Sequence, residues 1–273
     1  MSDSTTSAEP TEQAKLAERR AHFDRFHEAC ARQQTHKQVR AEAWGDEFPQ
    51  EVDPSSSCTW LVLGEMVARL RLKPEAVLVD LGCGRGGTGR WLARALSARL
   101  IGLDISPRAL EIASRQAPDF LPGGYAVFQE GTFEHTGLPD ACADGVVSMD
   151  ALPFAFDKDA ALRELRRILR PGARAVFTAK RALPEAPTYD ADAPTWPDRI
   201  KNAGLELEAA LERPEEPGLW QRLYAGLTKH EVQVRAELGE EYADILYNEV
   251  RDFGPIVHLY AATLYTVRAP GSE

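Results

Sequence analysis

The sequence lacks the features that mark membrane, secreted and metal-binding proteins. No apolar run approaches the roughly 20 residues that a membrane-spanning helix needs, and the polar residues 1–10 hold no apolar core of a signal peptide. The 4 cysteines form no C-x-x-C pair, and the 6 histidines form no cluster at metal-ligand spacing. We therefore predict a cytoplasmic protein with reduced thiols, no bound metal and no membrane partner.

Positive charge is also in short supply. The 32 Lys and Arg residues are outnumbered by 42 Asp and Glu residues, which gives a formal net charge of −10. Because a negative surface repels the phosphate backbone, we expect no nucleic-acid partner. Hydrophobic residues make up 44% of the sequence, the ordinary share of a globular protein, and we expect a monomer or a homodimer.

From residue 77 onward, short apolar segments alternate with amphipathic segments of helical period. Strands are predicted at 77–81, 99–104, 125–130, 143–149, 173–179, 205–211 and 258–267. Because strands joined by single helices form right-handed parallel crossovers, the pattern predicts an α/β fold with a mostly parallel seven-stranded sheet. The chain is divided into a disordered tail at 1–10 and a single domain at 11–273, with a helical cap at 11–58, a core at 59–213, a helical cap insert at 214–254, and the last strand and tail at 255–273.

A glycine-rich turn, DLGCGRGG at residues 80–87, follows the first predicted strand and precedes a helix. Its glycines allow a tight turn and a close approach of a ligand to the backbone, and they also satisfy the G-x-G-x-x-G dinucleotide pattern. Asp80 would repel a pyrophosphate, whereas its charge complements the ammonium and sulfonium groups of S-adenosylmethionine. The turn therefore favours an adenosyl cofactor without phosphate.

A second carboxylate supports the same cofactor. Asp104 ends the second predicted strand, where it is placed to accept hydrogen bonds from both ribose hydroxyls of an adenosine. Ile105 beside it is expected to pack on the adenine. These residues fall at the carboxyl ends of neighbouring strands, where open α/β sheets bind their ligands.

The segment VLVDLGCGRGGTGRWLA resembles motif I of the class I S-adenosylmethionine-dependent methyltransferases. The likeness runs from about residue 59 to residue 179 and includes IGLDIS, GLPDACADGVVSMDAL and ELRRILRPGARAVFT. The later part of the chain resembles the small-molecule, natural-product branch of this family. The resemblance implies a Rossmann-like seven-stranded sheet with its last strand antiparallel, and a cap formed by the N-terminal helices and the insert. It also implies S-adenosylmethionine as cofactor and methyl transfer to an O, N or C atom of a small molecule of secondary metabolism.

The resemblance also assigns cofactor contacts by position. Asp80 and the glycine turn would surround the methionine part, Asp104 would hold the ribose, and Met149 and Asp150 would lie near the sulfonium. Thr132 departs from the family pattern, because an acidic residue often stands there to bind the adenine. The predicted cofactor contacts are Thr59, Asp80, Gly82, Cys83, Gly84, Gly86, Asp104, Ile105, Thr132, Phe133, Met149 and Asp150.

Aromatic residues outside the sheet framework are expected to line an apolar acceptor pocket. The predicted substrate contacts are Trp44, Phe154, Trp196, Tyr224 and His258. No catalytic base is assigned. His135 and His230 fit exposed positions, and surface positions on the first helix are favoured for His22, His27 and His36.

Other functions stay open at this point. The alternative closest to methyl transfer is a cyclase or another non-methylating enzyme that keeps the cofactor as a structural element. Methylation of a nucleic acid or a protein is disfavoured by the negative charge and by the segment DALP at 150–153, where an N-P-P-Y-type tetrapeptide would stand. A NAD-dependent oxidoreductase is disfavoured by Asp80. Asp150 fits an acceptor contact and a helix cap equally well.

Overall fold

The computed structural model describes residues 11–271, so the predicted tail at 1–10 lies outside the described residues. None of the helices in this part of the chain is long and apolar enough to cross a membrane. The α-helices are α1 (Glu12–Arg32), α2 (Gln34–Trp44), α3 (Trp60–Leu70), α4 (Gly87–Leu96), α5 (Pro107–Gln116), α6 (Lys158–Ile168), α7 (Trp196–Asn202), α8 (Glu216–Lys229), α9 (Glu231–Leu238) and α10 (Glu240–Asp252).

The strands form one seven-stranded sheet in the order β3-β2-β1-β4-β5-β7-β6. The strands are β1 (Val77–Leu81), β2 (Arg99–Asp104), β3 (Ala126–Glu130), β4 (Ala143–Ser148), β5 (Leu169–Ala182), β6 (Glu206–Glu212) and β7 (Tyr260–Arg268). Strands β1 to β5 pair in parallel, and β7 is antiparallel to both of its neighbours, β5 and β6. The predicted α/β fold, with its mostly parallel sheet and antiparallel last strand, is confirmed.

Most strands match their predicted limits to within two residues, and the larger differences are at the N-terminal cap and at β5. The helical segment of the N-terminal cap is divided at Gln33, whose extended backbone (φ −80°, ψ 104°) separates α1 from α2. The fifth strand, expected at 173–179, is twice as long. It begins at Leu169, which pairs with Ala143 before a register shift, and it continues to Ala182, which pairs with Tyr260 of β7.

Apolar side chains pack on both faces of the sheet and in the cap. Alternate residues of the strands enter two clusters, one beneath α6 and α7 and the other beneath α3 and α4. A third cluster joins α2 to α8, α9 and α10, with the fully buried Leu227 and Val234 among its members. Each such Leu or Val side chain contributes about 1.5–3 kcal/mol by leaving water. The cap thus has an apolar core of its own beside the two layers of the sheet.

Helix α1 lies across the carboxyl ends of the strands. Its Arg20 Nε donates to the Ile105 carbonyl at 3.1 Å, and Asp24 Oδ1 accepts from Ser106 Oγ at 2.5 Å and from Arg108 N at 3.2 Å. Ser106 also caps α5, as its sequence position predicts, with Pro107 in the first turn. These contacts fix α1 over the edge at which the glycine turn opens.

Candidate cofactor and acceptor site

A cavity of about 720 Å³ lies between the carboxyl edge of the sheet and the helical cap. This volume falls within the range of roughly 300–1,000 Å³ of small-molecule sites. The sheet supplies the loops that follow β1, β2, β3 and β4, and Ala179 and Lys180 of β5 itself. The cap supplies mainly aromatic and aliphatic side chains, which include Phe23, Phe26, Trp220, Leu223, Tyr224, Leu227, Tyr242 and Phe253.

Most of the predicted cofactor residues meet at this cavity. The ones that line it are Asp80, Gly82, Cys83, Gly84, Asp104, Ile105, Thr132, Phe133, Met149 and Asp150. Thr59 and Gly86 do not line it. Thr59 is buried as the N-cap of α3, where its Oγ1 accepts from Val62 N at 3.2 Å. Gly86 is packed against Phe128, whose Cε1 would lie 2.9 Å from an added Cβ. Both residues therefore shape the site without facing it.

The glycine turn requires glycine for two separate reasons. Gly82 and Gly84 have φ values of 71° and 51°, in the left-handed region that other residues rarely adopt. An added Cβ would also lie 2.4 Å from Ala151 Cβ at Gly82 and 2.9 Å from His27 Cε1 at Gly84. The turn is therefore packed directly between the loop after β4 and helix α1.

The Asp104 carboxylate is held at the tip of β2 by the backbone. Its Oδ2 accepts from Gly84 N at 2.7 Å, and its Oδ1 accepts from Ser106 N at 3.0 Å. Burial raises the pKa of Asp104, although these two hydrogen bonds oppose the shift. Each carboxylate oxygen keeps a further lone pair, so this rigid group can still accept hydrogen bonds from a ribose.

Asp80 is a buried carboxylate with an unused oxygen. The residue is 2% exposed, and its Oδ2 has no hydrogen-bond partner within residues 11–271. Burial, followed by the charge of Asp104, raises the pKa of Asp80 to about 7. A cationic ligand would relieve both effects, since it supplies a positive charge to a carboxylate whose Oδ2 has no partner among residues 11–271. The site therefore fits S-adenosylmethionine, whose ammonium and sulfonium groups are positively charged.

Surface positions, favoured from the sequence for His22, His27 and His36, are wrong for His27 and His36, which are buried. His22 is half-buried, and all three line the cavity. Burial is the main cause that lowers the pKa of His27 and of His36 to about 3, with further contributions from Arg85 and Arg40. Both rings are neutral near pH 7 and are poor proton acceptors. Exposure of His135 and His230 is confirmed.

Asp150 connects the sheet to the loop before α3. Its Oδ2 accepts from Ser57 N at 2.7 Å and its Oδ1 accepts from Thr178 Oγ1 at 2.7 Å, while its backbone adopts a φ of 53°. Burial raises the pKa of Asp150, but the charge of Arg213 and these hydrogen bonds outweigh it and lower the pKa overall. The carboxylate is thus ionised, faces the cavity, and holds a loop instead of capping a helix.

Lys180, at the end of β5, was not singled out from the sequence. Its Nζ lies 2.8 Å from Oε1 of Glu216, which is fully buried, and 5.1 Å and 5.6 Å from the ring centres of Trp220 and Phe253. Lys180 lines the cavity near Asp150. The residue escaped prediction because β5 was expected to end at residue 179. It gives the aromatic end of the cavity a cation whose orientation is fixed.

Of the predicted substrate contacts, Phe154 and Tyr224 line the cavity. Trp44, Trp196 and His258 do not, which corrects their assignment. Trp44 is buried behind the wall, with its Nε1 donating to the Cys58 carbonyl at 3.1 Å.

The other two residues lie farther from the wall. Trp196 is the first residue of α7 and packs into the core, 5.5 Å from the ring of Phe177 and 6.4 Å from that of Tyr265. His258 is exposed in a 3₁₀ turn before β7. Aromatic character alone did not distinguish core residues from pocket residues.

The fold is Rossmann-like, and the cavity at the carboxyl edge of its sheet has the size and the carboxylates to hold an adenosyl cofactor. A family model described as a methyltransferase domain matches residues 79–177, from β1 into β5. This match identifies the segment from β1 into β5 as a methyltransferase domain.

Known proteins resemble different extents of the chain. The O-methyltransferase cnsE of Penicillium expansum is 33% identical over 130 residues, which cover 46% of this chain and 47% of that protein. The chain thus matches about half the length of this curated relative. Two solved structures share the fold at low identity. A phosphoethanolamine N-methyltransferase 2 of Haemonchus contortus, in complex with phosphomonomethylethanolamine and S-adenosylhomocysteine, has a TM-score of 0.66 at 15% identity, covering 86% of this chain and 57% of that one. The [4+2]-cyclase SpnF has a TM-score of 0.67 at 20% identity, covering 78% and 81%.

Proposed function

We propose that this protein transfers the methyl group of S-adenosylmethionine to an oxygen atom of a small, flat molecule of secondary metabolism. The observation that carries the proposal is the division of the cavity into two ends. One end has the glycine turn and the carboxylates of Asp80 and Asp104, and the other has aromatic walls around Lys180. The first suits the cofactor and the second suits a planar acceptor.

When bound, S-adenosylmethionine supplies an activated methyl group on a sulfonium that is a good leaving group. Asp104 is positioned to hold the ribose, and the ionised form of Asp80 to compensate the positive charge. The predicted contacts Met149 and Asp150 follow β4 and lie between this end and Lys180 in the cavity wall. Holding two reactants in alignment contributes roughly 7–11 kcal/mol to such a displacement.

An oxygen acceptor fits the charge at the aromatic end better than an amine does. The Lys180 ammonium stabilises the oxyanion that a phenol or enol forms when it loses its proton, and it repels a protonated amine. The neutral His27 and His36, with pKa values near 3, are not suited to take this proton. The resemblance to an O-methyltransferase agrees with an oxygen acceptor.

Helix α1 and the cap exclude water from the reacting groups. Phe23, Phe26 and Tyr242 cover the cavity from the side opposite the sheet. The four cysteines are free thiols, which supports work in a reducing compartment such as the cytoplasm. A low-molecular-weight acceptor is favoured because cap side chains line the cavity opposite the sheet.

A labelling experiment tests the proposal. The protein is incubated with S-adenosylmethionine that carries a deuterated methyl group, together with matched phenols and benzylamines, and the products are analysed by mass spectrometry. We expect the label on phenol oxygens and not on the nitrogens of the benzylamines, which are protonated at neutral pH. The double variant Lys180→Gln/Glu216→Gln removes the ion pair without leaving a lone buried charge, and Glu216→Gln alone is its control. The double variant should lose phenol methylation and keep cofactor binding.

The cyclase alternative predicts a different result in the same experiment. Cofactor would bind without turnover to S-adenosylhomocysteine, and label would appear in no product. The fold shared with SpnF permits this function, but at 20% identity it supports the fold alone.

A further inference from the structure

Arg40 of α2 is a buried cation without an ion-pair partner. The residue is 6% exposed, and within residues 11–271 no carboxylate oxygen lies within 4.0 Å of its guanidinium nitrogens. Glu249, whose charge also acts on Arg40, accepts instead from the Tyr224 hydroxyl at 2.7 Å. Buried charges in proteins are normally paired, because burial removes the hydration of the ion. An exception on a ligand cavity therefore points to a ligand.

The guanidinium is held rigidly by neutral groups. Its Nη1 donates to the Ser56 carbonyl at 3.1 Å, and its Nη2 lies 3.4 Å from Nε2 of His36, which burial and Arg40 keep neutral by lowering its pKa to about 3. The rings of Trp44 and Trp220 flank it at 5.2 Å and 5.4 Å. A guanidinium has five N–H donors, so several of them stay available after these contacts.

The surroundings of Arg40 carry an excess of positive charge in an otherwise acidic protein. Arg85 also lines the cavity, and its buried Nε has no hydrogen-bond partner among the described residues. A small side pocket that joins the wall is lined by Arg40, Arg85 and Lys37, and among the described residues its one carboxylate is that of Asp53, 3.3 Å from Arg85 Nη1 and 3.2 Å from Lys37 Nζ. Asp53 thus pairs with the other two cations of this pocket and not with Arg40.

We propose that Arg40 binds a carboxylate of a ligand in this cavity. Arg–carboxylate pairs are often bidentate, which uses the planar fork of donors that the protein leaves free. The inference rests on the proposed function, since both sources of the carboxylate are ligands of that reaction. One source is the methionine carboxylate of the cofactor, and the other is an acidic acceptor. The contact chemistry is the same in both cases.

Calorimetric titration separates the two sources. The wild type, Arg40→Met and the control Arg222→Met are titrated with S-adenosylhomocysteine and with its decarboxylated analogue. Arg222 lies on α8 outside the cavity wall and donates to the Ala43 carbonyl at 2.8 Å, so its loss removes a comparable cap contact. The same proteins, saturated with S-adenosylhomocysteine, are then titrated with trans-cinnamate and with trans-cinnamyl alcohol as probes. Thermal unfolding verifies that each variant is folded.

Each result decides the proposal. If Arg40 holds the cofactor carboxylate, the wild type and Arg222→Met bind S-adenosylhomocysteine about 10- to 100-fold more tightly than the analogue, and Arg40→Met loses this preference. If Arg40 holds an acceptor carboxylate, the preference for cinnamate over the alcohol is lost instead. The proposal is overturned if folded Arg40→Met keeps the wild-type preference in both series. Failure of the wild type to bind S-adenosylhomocysteine would refute the proposed function itself.

Discussion

The sheet edge and the helical cap build the same cavity from residues of very different predictability. At the sheet edge, the positions of Asp80, Asp104 and the turn between β1 and α4 follow from short stretches of sequence. In the cap, the inward position of His27 depends on how α1 crosses the glycine turn, and that of Arg40 on how α2 docks against the distant helix α8. The difference teaches that local backbone constraints specify the cofactor end, whereas tertiary packing specifies the acceptor end.

The largest expected effect is at the glycine turn. Gly82→Ala places a Cβ 2.4 Å from that of Ala151 and imposes a left-handed φ on alanine. Both partners are parts of the rigid sheet edge, so we expect calorimetry to detect no binding of S-adenosylhomocysteine. The control is Gly124→Ala, which shares a positive φ but has open space around it. If both variants bind S-adenosylhomocysteine equally well, the backbone of the glycine turn can move to make room for the added Cβ.

The cap should respond to loss of its own core. Leu227→Ala removes a fully buried side chain from the third apolar cluster, and we expect the free energy of unfolding to fall by about 2–5 kcal/mol in urea titrations. Leu165→Ala, beneath the sheet, is the matched control with the same burial. If only Leu227→Ala loses acceptor turnover, and it keeps its affinity for the cofactor, the result supports two separate ends of the site. A loss of cofactor affinity in Leu227→Ala would contradict this division.

The raised pKa of Asp80 predicts the direction in which the stability of the protein changes with pH. Its folded pKa of about 7 lies above the usual value of 3.8, so the folded state binds the extra proton and stability falls as pH rises from 4 to 7. Three pKa units correspond to about 4 kcal/mol. Urea titrations of the wild type and Asp80→Asn across this range should show the decline in the wild type only. If the stability of the wild type and of Asp80→Asn changes with pH in the same way, the pKa of Asp80 is not raised in the folded protein.

The same ionisation should appear in ligand binding. A cationic ligand favours the charged carboxylate, so the affinity of the wild type for S-adenosylmethionine should rise by up to about tenfold between pH 6 and pH 8, because with a pKa of about 7 only about a tenth of the Asp80 carboxylates is ionised at pH 6. Asp80→Asn should bind more weakly and show no such rise. Calorimetry at both pH values measures this directly.

The smallest effect is expected at a residue that the sequence placed in the site and the structure does not. Trp196→Phe should lower stability by about 3 kcal/mol or less, because it reduces packing against Phe177 in the core. It should leave cofactor affinity and acceptor turnover unchanged. Tyr224→Phe, in the cavity wall, is the comparison. A change of acceptor turnover in Trp196→Phe would indicate that Trp196 is a substrate contact, as the sequence predicted.

The fold was predictable because its signals are local. The strands at 77–81 and 99–104 have the predicted limits, and Ser106 caps its helix as expected. The alternation of short apolar segments with helices was sufficient to predict the mostly parallel sheet, whereas the antiparallel last strand was predicted only from the family resemblance. These features can be predicted without knowing which helices and strands pack against one another.

The acceptor side was not predictable from the same information. Trp196 and Tyr224 are both aromatic residues outside the central strands, yet one packs beneath α7 and the other faces the cavity. Lys180 reaches the cavity because β5 extends to residue 182 along β7, a pairing that spans about 80 residues of sequence. His27 is buried because α1 crosses the glycine turn. The position of each of these residues depends on how helices and strands pack against one another. The hydrophobic periodicity of a single element does not contain this information.

The central claim is that the sheet edge binds the adenosyl cofactor through Asp104, and one calorimetric comparison tests it most directly. S-adenosylhomocysteine and NAD are titrated into the wild type, Asp104→Asn and the control Asp144→Asn, whose carboxylate accepts from Val77 N at 2.8 Å at the opposite edge of the sheet. The account predicts binding of S-adenosylhomocysteine but not of NAD, weakened about 10- to 100-fold in Asp104→Asn and unchanged in Asp144→Asn. Binding of NAD, or equal affinity of Asp104→Asn and the wild type for S-adenosylhomocysteine, would contradict it.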